Sequence, residues 1–596
     1  MQKSAWILCL LPGALFAQQG VPLPPSGWAD DPPALPSLVA FARAESDLRV
    51  VVVRYAQDVA AVERRYPVQY SPARIARLRK LQEGWRDRLA EFDFDSLNSE
   101  GRVDYVALRG RINYEIEKLG LLEARGEQLK SLLPFFDDVR LLEEQRFDRN
   151  RVDARTAATT LDRIAKQVTA LSLALDEASR PGAKRPSTPA VLAMRAVDQL
   201  AELRATLADW NGFYNGYDPV YSWWARKPFA DADAALQVYA DTIKRVIVGI
   251  KPGEPAPIVG DPVLAAGLRA DLAVEMIPYS PEELISIGER EFASIEAMFR
   301  EVARKMGYGD DWKAALEYTK NLAPPPGEAP WAIYDIATYS EDFIARRHNI
   351  TLAPLAREIW RLAMQSPEQQ LVNPFFNGGE VTHLSYPTDS MALDDRLMSM
   401  RGNTPHFNFP TVQHELVPGH HLQQFMIDRF NGHRAAISDT PFWTEGWALY
   451  WELQLWDANF PRNDPDRIGM LFWRLHRAAR IVFSLNYQLG KWSPRQCVDF
   501  LVERVGHERA NAEAEVRRTT IAPPLYQSAY MLGALQLRAL YRELVDSGRM
   551  NATDFHDAIL LGGPMPVELV RARLAQQPLT RDYRSRWRFY QSLGPR

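Results

Sequence analysis

Apolar residues recur at intervals of three and four along most of the chain, the spacing that places them on one face of an α-helix. A clear example is the series Leu78, Leu81, Trp85, Leu89 and Phe92. The pattern begins near residue 37 and is strong again from Glu282 to Met306, where Pro281 suits a helix start. Three proline-rich stretches interrupt it, at residues 181–189, 251–257 and 323–327. We therefore predict an all-α fold.

Helical periodicity is lost between residues 373 and 410. Within this stretch His406-Phe407-Asn408-Phe409 alternates polar and apolar residues as a short strand does. We predict a small β element here. The alternative is an irregular loop that packs the two phenylalanines. His406 could line a substrate-binding cleft, or it could be a hydrogen-bonded core or surface group.

The N-terminus has the pattern of an export signal. Residues 1–17 contain Lys3, an apolar run and then Ala17, and residues 18–36 form a proline-rich lead-in. A buried N-terminal helix is the alternative. We expect an exported protein, periplasmic if the host is Gram-negative and otherwise secreted, without stable membrane insertion once the signal is removed.

Composition adds two constraints to this picture. The chain has 596 residues, of which 46% are hydrophobic and 24% charged, and its net charge is −4. This near-neutral net charge argues against a nucleic-acid partner. Removal of the signal leaves Cys497 as the one cysteine, so an intrachain disulfide cannot form and the hydrophobic core must stabilise the fold.

The densest chemical signal is the stretch His414-Glu415-Leu416-Val417-Pro418-Gly419-His420-His421. Histidine nitrogens bind divalent metals, and an adjacent glutamate can take a proton from a metal-bound water. The second histidine follows His414 by six or seven residues, a rise of roughly 9–10.5 Å on a regular helix, too long for two ligands of one ion. Pro418 cannot donate to the His414 carbonyl, and Gly419 adds backbone freedom. We predict a bulge in the helix that returns His420, or alternatively His421, to the metal.

Glu445 is the predicted third ligand, since it opens a second, strongly apolar helix thirty residues after Glu415. Two histidines and a glutamate, with one position left for water, form the catalytic zinc pattern. We expect one Zn²⁺ and assign Glu415 as the general base. This divides the chain into a helical N-terminal region at 37–370 and a helical metal-binding catalytic region at 371–596.

The segments HELVPGHHLQ and TEGWALYWE resemble the bacterial domain-of-unknown-function 885 family, in which H-E-x-x-P-G-H-H precedes E-G-W-A-x-Y. The likeness continues through residues 477–480, 505–509, 515–518 and 524–533, and extends more loosely into the helical region before residue 370. It implies an all-α shell like that of gluzincin peptidases, with Glu445 as third zinc ligand. The chain departs from many relatives at Ser484–Gln488, where they have Asp-Thr-Gly-x-His, because Gln488 cannot titrate.

Two further side chains could complete the site. Tyr530, at the opening of a C-terminal helix, could stabilise the oxyanion that develops on the scissile carbonyl, or could be a packed tyrosine. Arg517 or Arg518 could bind a substrate carboxylate and favour carboxypeptidase action; the alternative is a surface ion pair with Glu513 or Glu515.

The combined expectation is an exported zinc metallopeptidase that hydrolyses short peptides, with Glu415 activating the zinc-bound water. One alternative is a zinc hydrolase of a non-peptide amide or ester. Another is a non-catalytic exported binding protein with structural histidines. Endo- or exopeptidase mode, side-chain preference, physiological substrate and oligomeric state are left open.

Overall fold

The computed structural model describes residues 45–183, 186–251, 256–325, 327–372, 376 and 378–594. The predicted signal at 1–17 and the lead-in at 18–36 lie outside the described residues. Helices account for 71% of the protein, which confirms the all-α prediction. No described helix combines the length and the apolar character needed to cross a lipid bilayer.

Twelve α-helices precede the sheet in the described part of the chain. They are α1 (Arg49–Arg65), α2 (Pro72–Ala90), α3 (Ser99–Leu129), α4 (Phe136–Phe147), α5 (Ala154–Ala178), α6 (Ala190–Tyr214), α7 (Pro219–Ile243), α8 (Leu264–Val274), α9 (Pro281–Lys305), α10 (Trp312–Lys320), α11 (Ala329–Ala345) and α12 (Pro354–Ile359). Helix α9 begins at the predicted proline, where Ser280 and Glu283 form a capping box. The three proline-rich stretches fall between helices, as predicted.

The β structure among the described residues is one parallel pair. Strand β1 (Arg361–Met364) pairs with β2 (Val381–Leu384), with Arg361 opposite Val381 and Met364 opposite Leu384. Helix α13 (Pro367–Val372) lies between the two strands in the chain. The fold therefore has the small β element that was expected, formed by different residues.

The remaining helices form the C-terminal part of the molecule. They are α14 (Leu393–Gly402), α15 (Pro405–Glu415), α16 (His420–Ile427), α17 (Pro441–Asp457), α18 (Asp464–Gln488), α19 (Pro494–Phe500), α20 (Arg509–Ile521), α21 (Tyr526–Tyr541), α22 (Ala552–Gly562) and α23 (Val567–Leu574). Helices α17 and α21 pack extensively on each other. They cross closely at Gly446 and Gly533, since a Cβ on Gly446 would lie 2.7 Å from the Gly533 Cα.

The strand predicted at His406–Phe409 is wrong, because these residues form the first turn of α15. The Thr404 side chain accepts a hydrogen bond from the Phe407 N–H at 3.3 Å, and Pro405 occupies the first helical position. A threonine cap followed by proline is a strong helix start. This local signal outweighs the short alternation of polar and apolar residues.

Apolar side chains form two large buried clusters. One lies within α4–α7 and includes Leu161, Leu200 and Leu236. The other joins early and late parts of the chain, from Tyr105 on α3 to Trp447 on α17. The helices that carry the predicted metal ligands belong to this second core, so the candidate site lies within it.

A buried ionic network connects α3 to the C-terminal part of the chain. Asp104 is fully buried and accepts hydrogen bonds from His433 Nε2 at 2.6 Å and Arg434 Nε at 2.5 Å. Arg434 also donates to Glu100, which accepts a further bond from Arg573 at 2.6 Å. Burial opposes ionisation of the Asp104 carboxyl, but the attraction of Arg434 together with the hydrogen bond from His433 outweighs burial and lowers the pKa of Asp104. Each buried charge thus depends on its partners.

We expect Asp104→Ala to lower the free energy of unfolding by about 3–5 kcal/mol, because it leaves the Arg434 charge buried without this partner. Chemical denaturation followed by circular dichroism measures the change. The control is Asp87→Ala, which removes an exposed carboxylate 3.7 Å from Arg86 and should cost no more than about 1 kcal/mol. Equal stability losses in the two variants would contradict a structural role for the network.

Candidate metal centre

The histidine motif spans a break between two helices. Helix α15 ends at Glu415 and α16 begins at His420, so the predicted bulge in one continuous helix is instead an interruption. The Gly419 N–H donates back to the Gln413 carbonyl at 3.0 Å, and a Cβ on Gly419 would lie 1.8 Å from the His414 carbonyl oxygen. Glycine is thus required at the point where the chain turns back toward His414.

The break brings His420 beside His414, with their ring centroids 4.8 Å apart. Glu445 on α17 completes a compact set of ligand atoms. Its Oε2 lies 3.5 Å from His414 Nε2 and 3.1 Å from His420 Nε2. In tetrahedral zinc sites, bonds of 2.0–2.1 Å separate neighbouring ligand atoms by about 3.3 Å. Both distances to Glu445 are therefore close to the separation of two ligands on one zinc ion.

Glu415 also belongs to this group. Ligand atoms of His414, Glu415 and His420 all lie within 4.8 Å of one another. Because neighbouring helical residues point about 100° apart, a glutamate directly after a ligand can face the centre from a different side. Glu415 is placed where a general base beside a metal would be expected.

Hydrogen bonds orient two of these ligand groups. The Tyr526 hydroxyl donates to Glu445 Oε1 at 2.6 Å, which leaves Oε2 to face the histidines. His414 Nδ1 donates to Glu452 Oε1 at 2.7 Å, so Nε2 is the nitrogen that faces Glu445 and would bind a metal after losing its proton. A carboxylate behind a ligating histidine holds the ring and raises its basicity.

The carboxylates make this centre favourable for a positive charge. Burial disfavours the charged ring, but hydrogen bonds to Glu445 and Glu452 outweigh it and raise the pKa of His414 to about 9. Burial likewise opposes ionisation of Glu445, yet the attraction of His420 and then His414 holds its pKa well below the usual value. A site that stabilises protonated imidazole beside ionised carboxylates is electrostatically suited to a cation.

Tyr530 lies against the centre and is buried. Its ring stacks parallel to that of His414 at 6.2 Å, and its hydroxyl lies 3.4 Å from the Tyr526 hydroxyl. The guanidinium groups of Arg477 and Arg480 lie 4.9 and 4.5 Å from the ring centroid. Burial raises the pKa of Tyr530 well above its usual value, so the phenol remains protonated and able to donate.

Gly378 covers Glu415 from the side of the sheet. It lies three residues before β2, and a Cβ at this position would come 2.2 Å from Glu415 Oε2 and 2.9 Å from the Glu415 Cα. The backbone of this segment therefore approaches Glu415 as closely as a glycine allows. This contact connects the general-base candidate to the strand.

Gly378→Ala is expected to reduce catalytic turnover by about 100-fold, because the added methyl group must displace the Glu415 carboxylate by an ångström or more. Zinc affinity should change little, since the three atoms nearest to the added methyl group all belong to Glu415. Turnover and zinc content would be measured on the same preparation. Gly110→Ala, a helical position where a Cβ meets no atom within 4 Å, is the control. An alanine variant with full turnover would show that the contact is unimportant.

The sequence matches the model of a family described as bacterial proteins of unknown function, DUF885, over residues 56–574. The chain belongs to the DUF885 family. No curated protein matches it. The DUF885 match extends from α1 to α23 and therefore covers both regions of the chain, including the whole candidate metal centre.

Two solved structures resemble this DUF885 protein over nearly their entire lengths. A candidate lipoprotein of unknown function from Shewanella oneidensis has a TM-score of 0.60 at 14% identity, covering 88% of this chain and 98% of its own. A candidate lipoprotein from Colwellia psychrerythraea has a TM-score of 0.53 at 16% identity, covering 89% and 98%. At these identities the likeness establishes a shared fold.

Two predicted histidines of the DUF885 chain lie apart from the cluster. His421 is buried and its Nε2 donates to the Ala356 carbonyl at 2.6 Å, so of the two candidate second ligands the structure brings His420 to the centre. His406 is at the start of α15, where its Nδ1 lies 2.6 Å from the buried Asp466 carboxylate. A role for His406 in substrate binding stays a prediction.

Arg518 lies on α20, exposed, with its Nη2 3.4 Å from the Tyr526 hydroxyl. The ion pair considered between this arginine and Glu515 is not formed among the described residues, since Glu515 accepts from Arg480 at 2.6 Å. Gln488 has a structural contact, because its side-chain oxygen accepts from the Val263 N–H at 3.0 Å.

Sequence reasoning missed three residues that the structure places at the centre. Glu452 follows Glu445 by seven residues, and Tyr526 precedes Tyr530 by four. Both intervals place side chains on one helix face, so periodicity could have found them. Gly378 had no comparable signal, because its contact with Glu415 joins segments far apart in the chain.

Proposed function

We propose that the protein is an exported zinc-dependent metallopeptidase that hydrolyses short peptides. One observation carries the proposal: Glu445 Oε2 lies 3.5 Å and 3.1 Å from the Nε2 atoms of His414 and His420, and Glu415 clusters with the same two histidines. A structural zinc site normally uses four protein ligands and needs no free glutamate. The predicted signal, and the lipoprotein descriptions of the two similar structures, support export.

His414, His420 and Glu445 would hold the ion. Bound zinc would supply Lewis acidity, polarising the substrate carbonyl and lowering the pKa of the attacking water. Glu452 keeps the His414 ring in the tautomer and orientation required of a ligand. The Tyr526 hydroxyl likewise holds the Glu445 carboxylate in position by donating a hydrogen bond to its second oxygen.

Glu415 would act as general base and then as general acid. It would take a proton from water as the water oxygen attacks the carbonyl carbon, and deliver that proton to the leaving nitrogen as the C–N bond breaks. Tyr530, a buried and protonated phenol beside His414, would donate a hydrogen bond to the carbonyl oxygen as its negative charge develops. Arg477 and Arg480 hold its ring in place.

The strand beside the site favours a peptide over other amides and esters. Strand β2 begins three residues after Gly378, the residue that approaches Glu415. An extended peptide aligned with this strand could exchange backbone hydrogen bonds with it while its carbonyl lies near Glu415. A small ester would make no use of such an edge.

The first test is the metal content of the purified mature protein together with a substrate panel. We expect about one zinc per chain. We also expect hydrolysis of short peptides, which is measured by mass spectrometry of the products. Hydrolysis confined to non-peptide amides or esters would favour the alternative hydrolase. Absence of bound zinc even after zinc is supplied would make the histidines structural and favour an exported binding protein.

A further inference from the structure

Arg518 is a cation at the candidate site that forms no ion pair with the described residues. It lies on α20, exposed, with its guanidinium carbon 5.4 Å from the centre of the Tyr526 ring. Within the described parts of the chain, no carboxylate lies at ion-pair distance from its guanidinium. The group is therefore available to a negatively charged ligand.

The other arginines around the site have partners within the protein. Arg480 donates to Glu515 at 2.6 Å, and Arg477 lies 3.8 Å from Glu452. Arg517, the neighbour of Arg518, donates to the Ala256 carbonyl. These contacts hold the other three guanidinium groups in the scaffold, and they distinguish Arg518 as a binding group.

A single hydroxyl separates Arg518 from the predicted metal ligand Glu445. The Tyr526 hydroxyl lies 3.4 Å from Arg518 Nη2 and 2.6 Å from Glu445 Oε1. One residue of an extended peptide spans about 3.5 Å, and a guanidinium binds a carboxylate at about 2.8 Å. A peptide with its scissile carbonyl beside Glu445 would therefore have a carboxylate one residue further along within reach of Arg518.

We propose that Arg518 binds the free C-terminal carboxylate of the substrate, so that the protein removes the last residue of a peptide as a carboxypeptidase. The inference rests on the proposed peptidase function and specifies its substrate class. Water forms the new bond to the carbonyl carbon of the last peptide bond, the C–N bond breaks, and Glu415 transfers one proton to the leaving amine. The products are a peptide shortened by one residue and a free amino acid.

The experiment compares a short peptide with a free C-terminal carboxylate and the same peptide as its C-terminal amide. The zinc-loaded full-length protein is used, with mass spectrometry to identify the products. The wild type should prefer the free acid by about 10- to 100-fold in kcat/KM, the range expected for a charge-assisted hydrogen-bonded contact. Arg518→Gln should bring the acid-to-amide ratio close to one, and Arg518→Lys should recover part of the preference.

Arg517→Gln is the matched control, since it removes the adjacent guanidinium that binds a backbone carbonyl; its acid-to-amide ratio should equal that of the wild type. Equal rates on both peptides in the wild type would overturn carboxylate recognition while leaving the peptidase proposal intact. An unchanged ratio in Arg518→Gln would overturn the role of this residue. A zinc-loaded wild type that hydrolyses neither peptide would overturn both proposals.

Discussion

A Glu415→Gln protein should bind about one zinc per chain and yet hydrolyse peptides about 10²- to 10⁴-fold more slowly than the wild type. The amide keeps the size and much of the polarity of the carboxylate, so the helix end and the three predicted ligands remain in place. It cannot accept a proton from the attacking water at neutral pH. Zinc analysis and kcat on the same sample measure the two effects separately.

The matched control for this variant is Glu301→Gln, which makes the same chemical change at an exposed carboxylate of α9 paired with Lys305. It should behave as the wild type in both assays. A Glu415→Gln protein that retains wild-type turnover would exclude Glu415 as the base. Loss of zinc together with turnover would instead assign Glu415 to the metal ligands, since its carboxylate belongs to the same compact cluster.

Glu445→Ala is expected to lose most of its zinc and, as a result, nearly all hydrolysis. Glu445 supplies the one charged ligand of the predicted set and contacts both histidines. Removing a hydrogen-bonding partner behind a ligand already costs about 10- to 100-fold in metal affinity, and loss of the ligand itself should cost more. Elemental analysis after dialysis against a weak chelator measures the loss.

Thermal unfolding gives this prediction a readout independent of activity. Zinc that binds the folded state should raise the melting temperature of the wild type and have little effect on Glu445→Ala. Glu301→Ala, an equivalent truncation at an exposed position, should keep the zinc-dependent shift. A Glu445→Ala protein that still binds one zinc with full affinity would remove Glu445 from the predicted ligands.

Local patterns in the chain were sufficient for much of the fold. The spacing of apolar residues predicted the all-α class, and Pro281 marked the start of α9 at the residue where the helix begins. These features depend on interactions between residues three or four positions apart, so the sequence carries them directly. The wrong strand prediction at His406–Phe409 also came from a local pattern. A two-residue alternation over four positions is a weaker signal than a threonine cap followed by proline.

The motif also identified the residues that meet at the candidate centre, though not their geometry. Pro418 and Gly419 predicted a distortion after Glu415, and the structure replaces the expected bulge with two separate helices. Which histidine turns inward depends on the direction in which α16 starts. His421 turns instead to the Ala356 carbonyl, a partner far away in the chain. Spacing alone could not decide between the two histidines.

Amino-acid order alone thus predicted the all-α class, the start of α9 and the candidate ligands, with the second histidine left open between His420 and His421. Tertiary packing decided how the site is completed: the crossing of α17 and α21 at two glycines brings Tyr526 to Glu445, and the strand segment brings Gly378 onto Glu415. It also decided which arginine at the site is left without an ion pair among the described residues, since Glu515 pairs with Arg480 and Arg518 instead contacts Tyr526. These contacts join segments distant in sequence, and their formation depends on shape and burial across the whole core, which periodicity along the chain does not encode.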